Sequence, residues 1–483
     1  MRTKLPVLSD ILTPDANNFG AIRLAMALSV LVSHSYWLAT GQPSLEPLHK
    51  WTHHSLGEHA VQVFFFLSGV VVTQSLFKSK SVVDFAAARA FRIFPALIAC
   101  VLLTAFVLGP LATTGSAKAY FADKGVITYI AKTISLSTGS APLPGVFTDV
   151  PVPNLVNLSL WTLKYEALCY VMLAAFGIAC LRFPKLLGAF TAVLALVVAL
   201  IFVGAPKPIS GYTMTDNIRY FILFFGMGTL AYMVRDRLIL YWPLLPLLGI
   251  GFVLAIGTRF GELATALFLG YGTLLVAALK LPRLRWFTND QDYSYAVYIL
   301  ACPIQQALLS ARPGIGPIEL TFVTLGLVLP MAVFSWTHIE RPAMHLRRPF
   351  VVGLGRRAAT LRHMLNLSAI KPHRAARLVA VDVAKVAAKS PPAPAAAATP
   401  IATAFRKCQA TLTWPASKTA DGPVTVATAP PALRAQPEAR TVTNRFRQRP
   451  APKSDALQGF FDLRREKAVL RRFTGLGSNL QVP

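Results

Sequence analysis

Apolar runs of about membrane-crossing length alternate with short polar joints through most of the chain, at 19–39, 58–77, 92–113, 159–181, 186–204, 217–234, 240–257, 262–280, 293–310 and 317–337. About 20 residues rising 1.5 Å each cross the roughly 30 Å hydrocarbon core as a helix. The pattern therefore predicts an all-α integral membrane protein with about ten transmembrane helices. Cations alternate between the joints. Lys78, Lys80 and Arg89, then Arg182 and Lys185, then Arg235 and Arg237, then Lys280, Arg283 and Arg285 fall on the side of Arg2 and Lys4. Joints on the other side hold single cations, Lys207, Arg259 and Arg312. Lys and Arg collect in short cytoplasmic loops, so both termini are expected in the cytoplasm.

Two outward segments are longer, 40–57 and 114–158. Gly125–Ser137 in the second is too short to span and carries Lys132. It reads either as an interfacial or re-entrant piece covering an outward opening or as an amphipathic surface helix. Residues 1–18 are polar, and the run after them is too long for the apolar core of a signal peptide, so the first helix is expected to be retained.

Composition sharpens this organisation into a membrane domain at 19–345 and a tail at 346–483. With 54% apolar and 14% charged residues, the 483-residue chain is too apolar for an ordinary soluble fold. Its net charge of +27 is concentrated near the end, where residues 351–483 hold 22 Lys and Arg against 6 Asp and Glu. That tail, with its SPPAPAAAATP stretch, has too little to bury and is expected to be mostly disordered. A polybasic cytoplasmic tail would be drawn to anionic lipid at about 1 kcal/mol for each cation near the surface; a solvated tail without a specific role is the favoured reading, and no nucleic-acid partner is expected. The five cysteines show no CxxC or Cys/His spacing, so neither a disulfide framework nor a metal site is expected.

Candidate chemistry lies in ionisable residues inside or beside the spans. Arg23 and His34 stand eleven residues apart in the first run, and eleven helical steps of about 100° return to within about 20° of one direction. They share a stripe about 16 Å long, one near each surface. This suits a path across the bilayer; a snorkelling arginine and a core histidine give the same pattern. Arg89 and Arg92, at i and i+3 where the third span begins, share a face at the cytoplasmic mouth. Two guanidiniums beside a helix N-terminus suit phosphate, and positive-inside anchoring would also supply them.

The fourth span opens SLWTLKYEALCY, with Glu166 about two turns below the outer surface beside Trp161 and Tyr165. Only Lys164 is near enough in sequence to neutralise that carboxylate, which suggests a His34–Glu166 contact, either as a general-base pair or as a structural one. Glu58 and His59 stand at the outer mouth of the second span, and Ser68–Gly69 inside it read as close helix packing. His53 and His54 read as solvent-facing. The tyrosines of DYSYAVYILACP read as interfacial belt residues. Glu340, with Arg341 and Pro342, reads as closing the last span through a carboxylate–cation pair.

These blocks taken together, Arg23–ten residues–His34, VQVFFFLSG, Arg89-Ala-Phe-Arg92-Ile-Phe-Pro95, SLWTLKYEALCY, YSYAVYILACP and IERP, resemble in order and spacing the membrane-bound acyltransferase-3 family, which includes O-acetyltransferases of bacterial surface polysaccharides and nodulation factors. The chain departs at Val70, where an aromatic is usual, and at Ala301, where a histidine is, so the resemblance assigns no catalytic part to the ninth span. It implies a ten-helix enzyme of the bacterial inner membrane that takes an acyl group, usually acetyl from acetyl-CoA, off coenzyme A in the cytoplasm and delivers it to a glycan hydroxyl outside. By position it implies catalytic His34, Arg23 and Glu166, donor-binding Arg89 and Arg92, and Trp161 and Tyr165 near substrate. With no fused hydrolase-like domain expected, transfer would be direct or completed by a separate extracytoplasmic transferase. A glycan transporter or flippase, and a non-catalytic scaffold recruiting through its tail, are the competing classes.

Overall fold

The computed structural model describes residues 5–139, 141–183, 187–204, 214–258, 260–279, 281 and 291–364. Contacts divide the chain into a unit at 1–415 and another at 416–483, and all the described residues belong to the first. The tail beyond 364, the 205–213 joint and the basic joint at 282–290 therefore lie outside the described residues.

The described residues are helical, with two isolated β-bridges and no strand. The main helices are α1 Phe19–Thr40, α2 Leu56–Lys78, α3 Val82–Leu103, α4 Lys124–Ile134, α5 Leu163–Arg182, α6 Leu187–Gly204, α7 Met214–Met233, α8 Leu244–Ala255, α9 Gly261–Ala277, α10 Ser294–Ala311, α11 Pro317–Ser335 and α12 Arg341–Met364. Each of the ten expected spans overlaps one of them. Five helical stretches among the described residues have the length and composition to cross a membrane: Phe19–Thr40, Leu56–Lys78, Val82–Ala112, Leu158–Ala179 and Pro317–Arg357. At 12 residues, α8 is only about 18 Å long, short of a full crossing.

Local chemistry explains the main helix ends. Gly41, at φ 70°, ends α1 with its N–H on the Trp37 carbonyl. Ser55 and Glu58 form a reciprocal capping box that starts α2. The Ser81 hydroxyl accepts from the Asp84 N–H and starts α3 ten residues before the expected boundary at 92. Arg89 and Arg92 are consequently two to three turns inside the helix rather than beside its free N–H groups, and Pro95 is an interior proline. The fourth expected span opens with a 3-10 turn, Leu158–Thr162, before α5.

The expected close at Glu340-Arg341-Pro342 is also corrected. A π-helical turn, Trp336–Glu340, joins α11 to α12, and the helix continues. Pro342 falls directly after that wide turn, where its missing N–H is tolerated.

α1 packs against α2, α10 and α11 and touches both apolar cores. Gly69 of α2 and Gly228 of α7 meet backbone to backbone, where an added Cβ would strike the Phe225 and Phe66 carbonyls. Close packing at Ser68–Gly69 is thus the structural use of that pair. The 114–158 segment takes its amphipathic form: α4 buries Val126, Tyr129 and Thr133 on one face and leaves Ile127 exposed.

Candidate active site

One end of the bundle gathers Arg23, Arg92, Asp292 and Glu340. Asp292, just before α10, accepts from the Arg23 guanidinium of α1 at 3.0 Å and from the Arg92 guanidinium of α3 at 2.7 Å through one oxygen, Oδ2. Its other oxygen takes the Ser294 N–H at 3.3 Å and the Ser294 hydroxyl. Burial opposes its charge, yet Arg92 and Arg23 hold the Asp292 carboxyl well below the usual carboxylate range. Arg92 also pairs with Glu340, which accepts from the Ser335 hydroxyl at 3.0 Å. The π turn carries Glu340 into this position, so the carboxylate–cation pair expected at the end of the last span forms, with Arg92 as its cation. Charges alternate in space as Arg23, Asp292, Arg92, Glu340, and the four neutralise one another.

Arg89 differs. Among the described residues it has no carboxylate partner: one N–H reaches the Ser75 hydroxyl at 3.4 Å, the guanidinium lies 5.9 Å from the centre of the Tyr170 ring, and its Nε is buried with no hydrogen bond. The Tyr170 hydroxyl donates to Glu166. Glu166 therefore gets its partner from its own helix and lies in the field of Arg89. This corrects the expectation that only Lys164 was available to it.

A cavity of about 610 Å³ opens among these groups. Arg23, Arg89, Arg92, Glu166 and Tyr170 line it, and His345, Arg347 and Arg348 of α12 border it at the end where the helix leaves the bundle. Apolar and aromatic side chains complete its lining, among them Val61, Phe64, Phe65, Val71, Val72 and Tyr298. Tyr298 shares a 2.7 Å hydrogen bond with Thr162 and meets Phe64 edge to face. Such a volume, lined by several arginines together with apolar and aromatic side chains, suits a long ligand with an anionic head.

A family model described as an acyltransferase domain matches residues 17–338. The chain belongs to the acyltransferase-3 family. An "O-acetyl transferase" of Shigella phage Sf6 is 31% identical over 339 residues, covering 68% of this chain and 95% of the relative. "Nodulation protein 10" of Rhizobium leguminosarum bv. viciae is 30% identical over 363 residues, covering 69% and 95%. No solved structure matches the chain. This acyltransferase-3 protein is thus a membrane acyltransferase.

The acyltransferase brings four of its seven sequence-selected residues, Arg23, Arg89, Arg92 and Glu166, to one cavity. His34 does not border it. It is half-buried on α1, with Nδ1 buried and unbonded, and makes no contact with Glu166 among the described hydrogen bonds. The expected His34–Glu166 pair is absent because Glu166 turns to Tyr170 and Arg89 at the basic end. Gln305 of α10 fixes the backbone around His34, donating to the Leu31 carbonyl at 2.8 Å and the Ser35 hydroxyl at 2.7 Å. Trp161 and Tyr165 pack with Phe221, at 5.4 and 5.1 Å between ring centres, and neither borders the cavity.

Asp292 and the α10 tyrosines escaped the sequence reading of function. Tyr295 lies 5.3 Å from the Arg92 guanidinium and Tyr298 lines the cavity, so both leave the interfacial belt for the site. An acid directly before a tyrosine-rich span, in a chain with arginines unbalanced in two other spans, was the available signal. At the far end, His54 is buried rather than solvent-facing: its Nε2 is 2.8 Å from Glu262, and Nδ1 is 3.6 Å from Glu58. Burial pulls its pKa down, but the two carboxylates outweigh burial and raise it to about 10.

Proposed function

We propose that the protein is an integral membrane O-acetyltransferase of the bacterial inner membrane, carrying an acetyl group from cytoplasmic acetyl-CoA to a hydroxyl of an extracytoplasmic or lipid-linked glycan. The observation that carries the reading is Arg89, a half-buried guanidinium with a buried, unbonded Nε and no carboxylate partner among the described residues, bordering a cavity lined by arginines and by apolar and aromatic side chains. An unpaired buried cation is costly, and a phosphate ligand would offset that cost. The name of one relative, an O-acetyl transferase, supports transfer of an acetyl group to an oxygen.

In this reading the polypeptide crosses ten times with both termini cytoplasmic, and the mouth bordered by Arg89 and α12 faces the cytoplasm. Arg89 holds the donor's phosphates, while Asp292 and Glu340 keep Arg92 and Arg23 in place to shape the mouth. Acetyl-CoA supplies a thioester whose carbonyl carbon accepts the glycan oxygen. The new O–C bond forms as the C–S bond breaks; His34 takes the hydroxyl proton and the sulfur leaves as thiolate. His34 is suited to this by an Nδ1 that no neighbour occupies. Because His34 does not border the cavity, the packing between the two must open for the thioester to reach it. A separate extracytoplasmic transferase finishing the transfer would remove that requirement.

Mass spectrometry of surface glycans from cells with and without the gene tests the function. Acetyl-sized increments that vanish on deletion, and that neither His34→Ala nor Arg23→Ala restores at normal membrane levels, are expected. Unchanged glycans on deletion would reject the acceptor, and full acetylation by both variants would reject the mechanism.

A further inference from the structure

The geometry points to α12, the helix beyond the last expected span, as part of the donor site: Arg348 reads the 3′-phosphate of coenzyme A while Arg89, deeper in the cavity, holds the diphosphate. The inference rests on the acetyl-CoA reading and adds a residue and a division of labour. Arg92, beside Arg89 on α3, is already taken by Asp292 and Glu340, so it is a positioning residue with its charge spent. Arg347 is partly engaged by Asp84 at 3.7 Å. Arg348 has no carboxylate partner among the described residues, is exposed, and still borders the same cavity as Arg89.

Depth then orders the two cations. Coenzyme A runs from its thiol through the uncharged pantetheine arm to the diphosphate and then to the ribose with its 3′-phosphate. If the thioester enters first, the apolar interior receives the arm, half-buried Arg89 meets the diphosphate, and Arg348 at the rim meets the last phosphate. The α11–α12 junction is one continuous helix through the π turn, and α12 packs along α3, so the two arginines are held on neighbouring elements.

The test compares coenzyme A with 3′-dephospho-coenzyme A binding to the full chain in detergent, by calorimetry, for wild type, Arg348→Ala, Arg89→Ala and Arg312→Ala. Arg312 pairs with Glu319 and does not border the cavity, so its variant controls for lost charge. Wild type and Arg312→Ala are expected to prefer coenzyme A by about tenfold, the effect of one charge-assisted contact at an exposed rim. Arg348→Ala should lose that preference while binding dephospho-coenzyme A as wild type does, and Arg89→Ala should weaken both ligands together. A preference that survives in Arg348→Ala, or that Arg89→Ala alone removes, overturns the assignment while leaving the donor reading standing. Failure of wild type to bind either ligand overturns both.

Discussion

The two ends of the bundle each bury a carboxylate–cation cluster, and they differ in what is left over. At the far end His54 sits between Glu262 and Glu58, and its neighbour His59 is bonded to Gln62 at 2.9 Å and Thr52 at 3.0 Å. At the basic end Arg23, Asp292, Arg92 and Glu340 are equally well matched, yet Arg89 stands beside them without a carboxylate partner among the described residues and faces a cavity. Matched charges hold helices together; a mismatched one at a cavity is a binding device. Composition alone would not separate these two uses of arginine.

The largest effect should come from breaking the matched set. Asp292→Ala leaves Arg23 and Arg92 without their shared carboxylate, and a loss of about 3 kcal/mol in unfolding free energy is expected, with acyl transfer abolished. Thermal unfolding in detergent with a parallel transfer assay checks it; native stability would mean that the arginines find other partners. Arg89→Ala should do the opposite, leaving stability unchanged or slightly raised while coenzyme A binding weakens about tenfold or more. A drop in stability as large as that of Asp292→Ala would erase the distinction between the two arginines of α3.

The far end can be probed by pH. His54 is raised from 6.5 to about 10, so its contribution to stability is complete below 6.5 and is lost as pH rises through about 10. Unfolding temperature should therefore fall through that window, and the slope should flatten in Glu262→Gln, which removes the nearest carboxylate. An identical slope in that variant would remove His54 from the account. The smallest effect is expected from Trp161→Phe, which keeps an aromatic against Phe221 and lies off the cavity: transfer within about twofold of wild type and under about 1 kcal/mol of stability. A large loss of transfer with normal stability would return Trp161 to the substrate site.

Arg23, Arg89 and Arg92 were legible in the chain because a cation in an apolar run needs a reason, and the structure brings all three to one cavity. Their partners were not. Asp292 and Glu340 lie 200 and 248 positions from Arg92, and nothing local announces a contact across that separation. Glu166 was read from its depth alone, which pointed to His34; its direction depends on the 3-10 turn that delays α5 to Leu163. The early start of α3 was readable, since Ser81 followed by Asp84 is a capping signal, but hydropathy places spans and passes over the polar turns that extend them. The aromatic stack of Trp161 and Tyr165 with Phe221 required knowing that α7 packs there.

The wide turn at Trp336–Glu340 acts as a phase setter between two stacked rods. Because each helical residue advances the azimuth by about 100°, losing one residue there would swing everything downstream by that angle. Glu340 would leave Arg92, and the arginines of α12 would turn from the mouth. Insertions and deletions in this short piece should therefore be far less forgiving than point changes, even though it lies at the margin of the bundle.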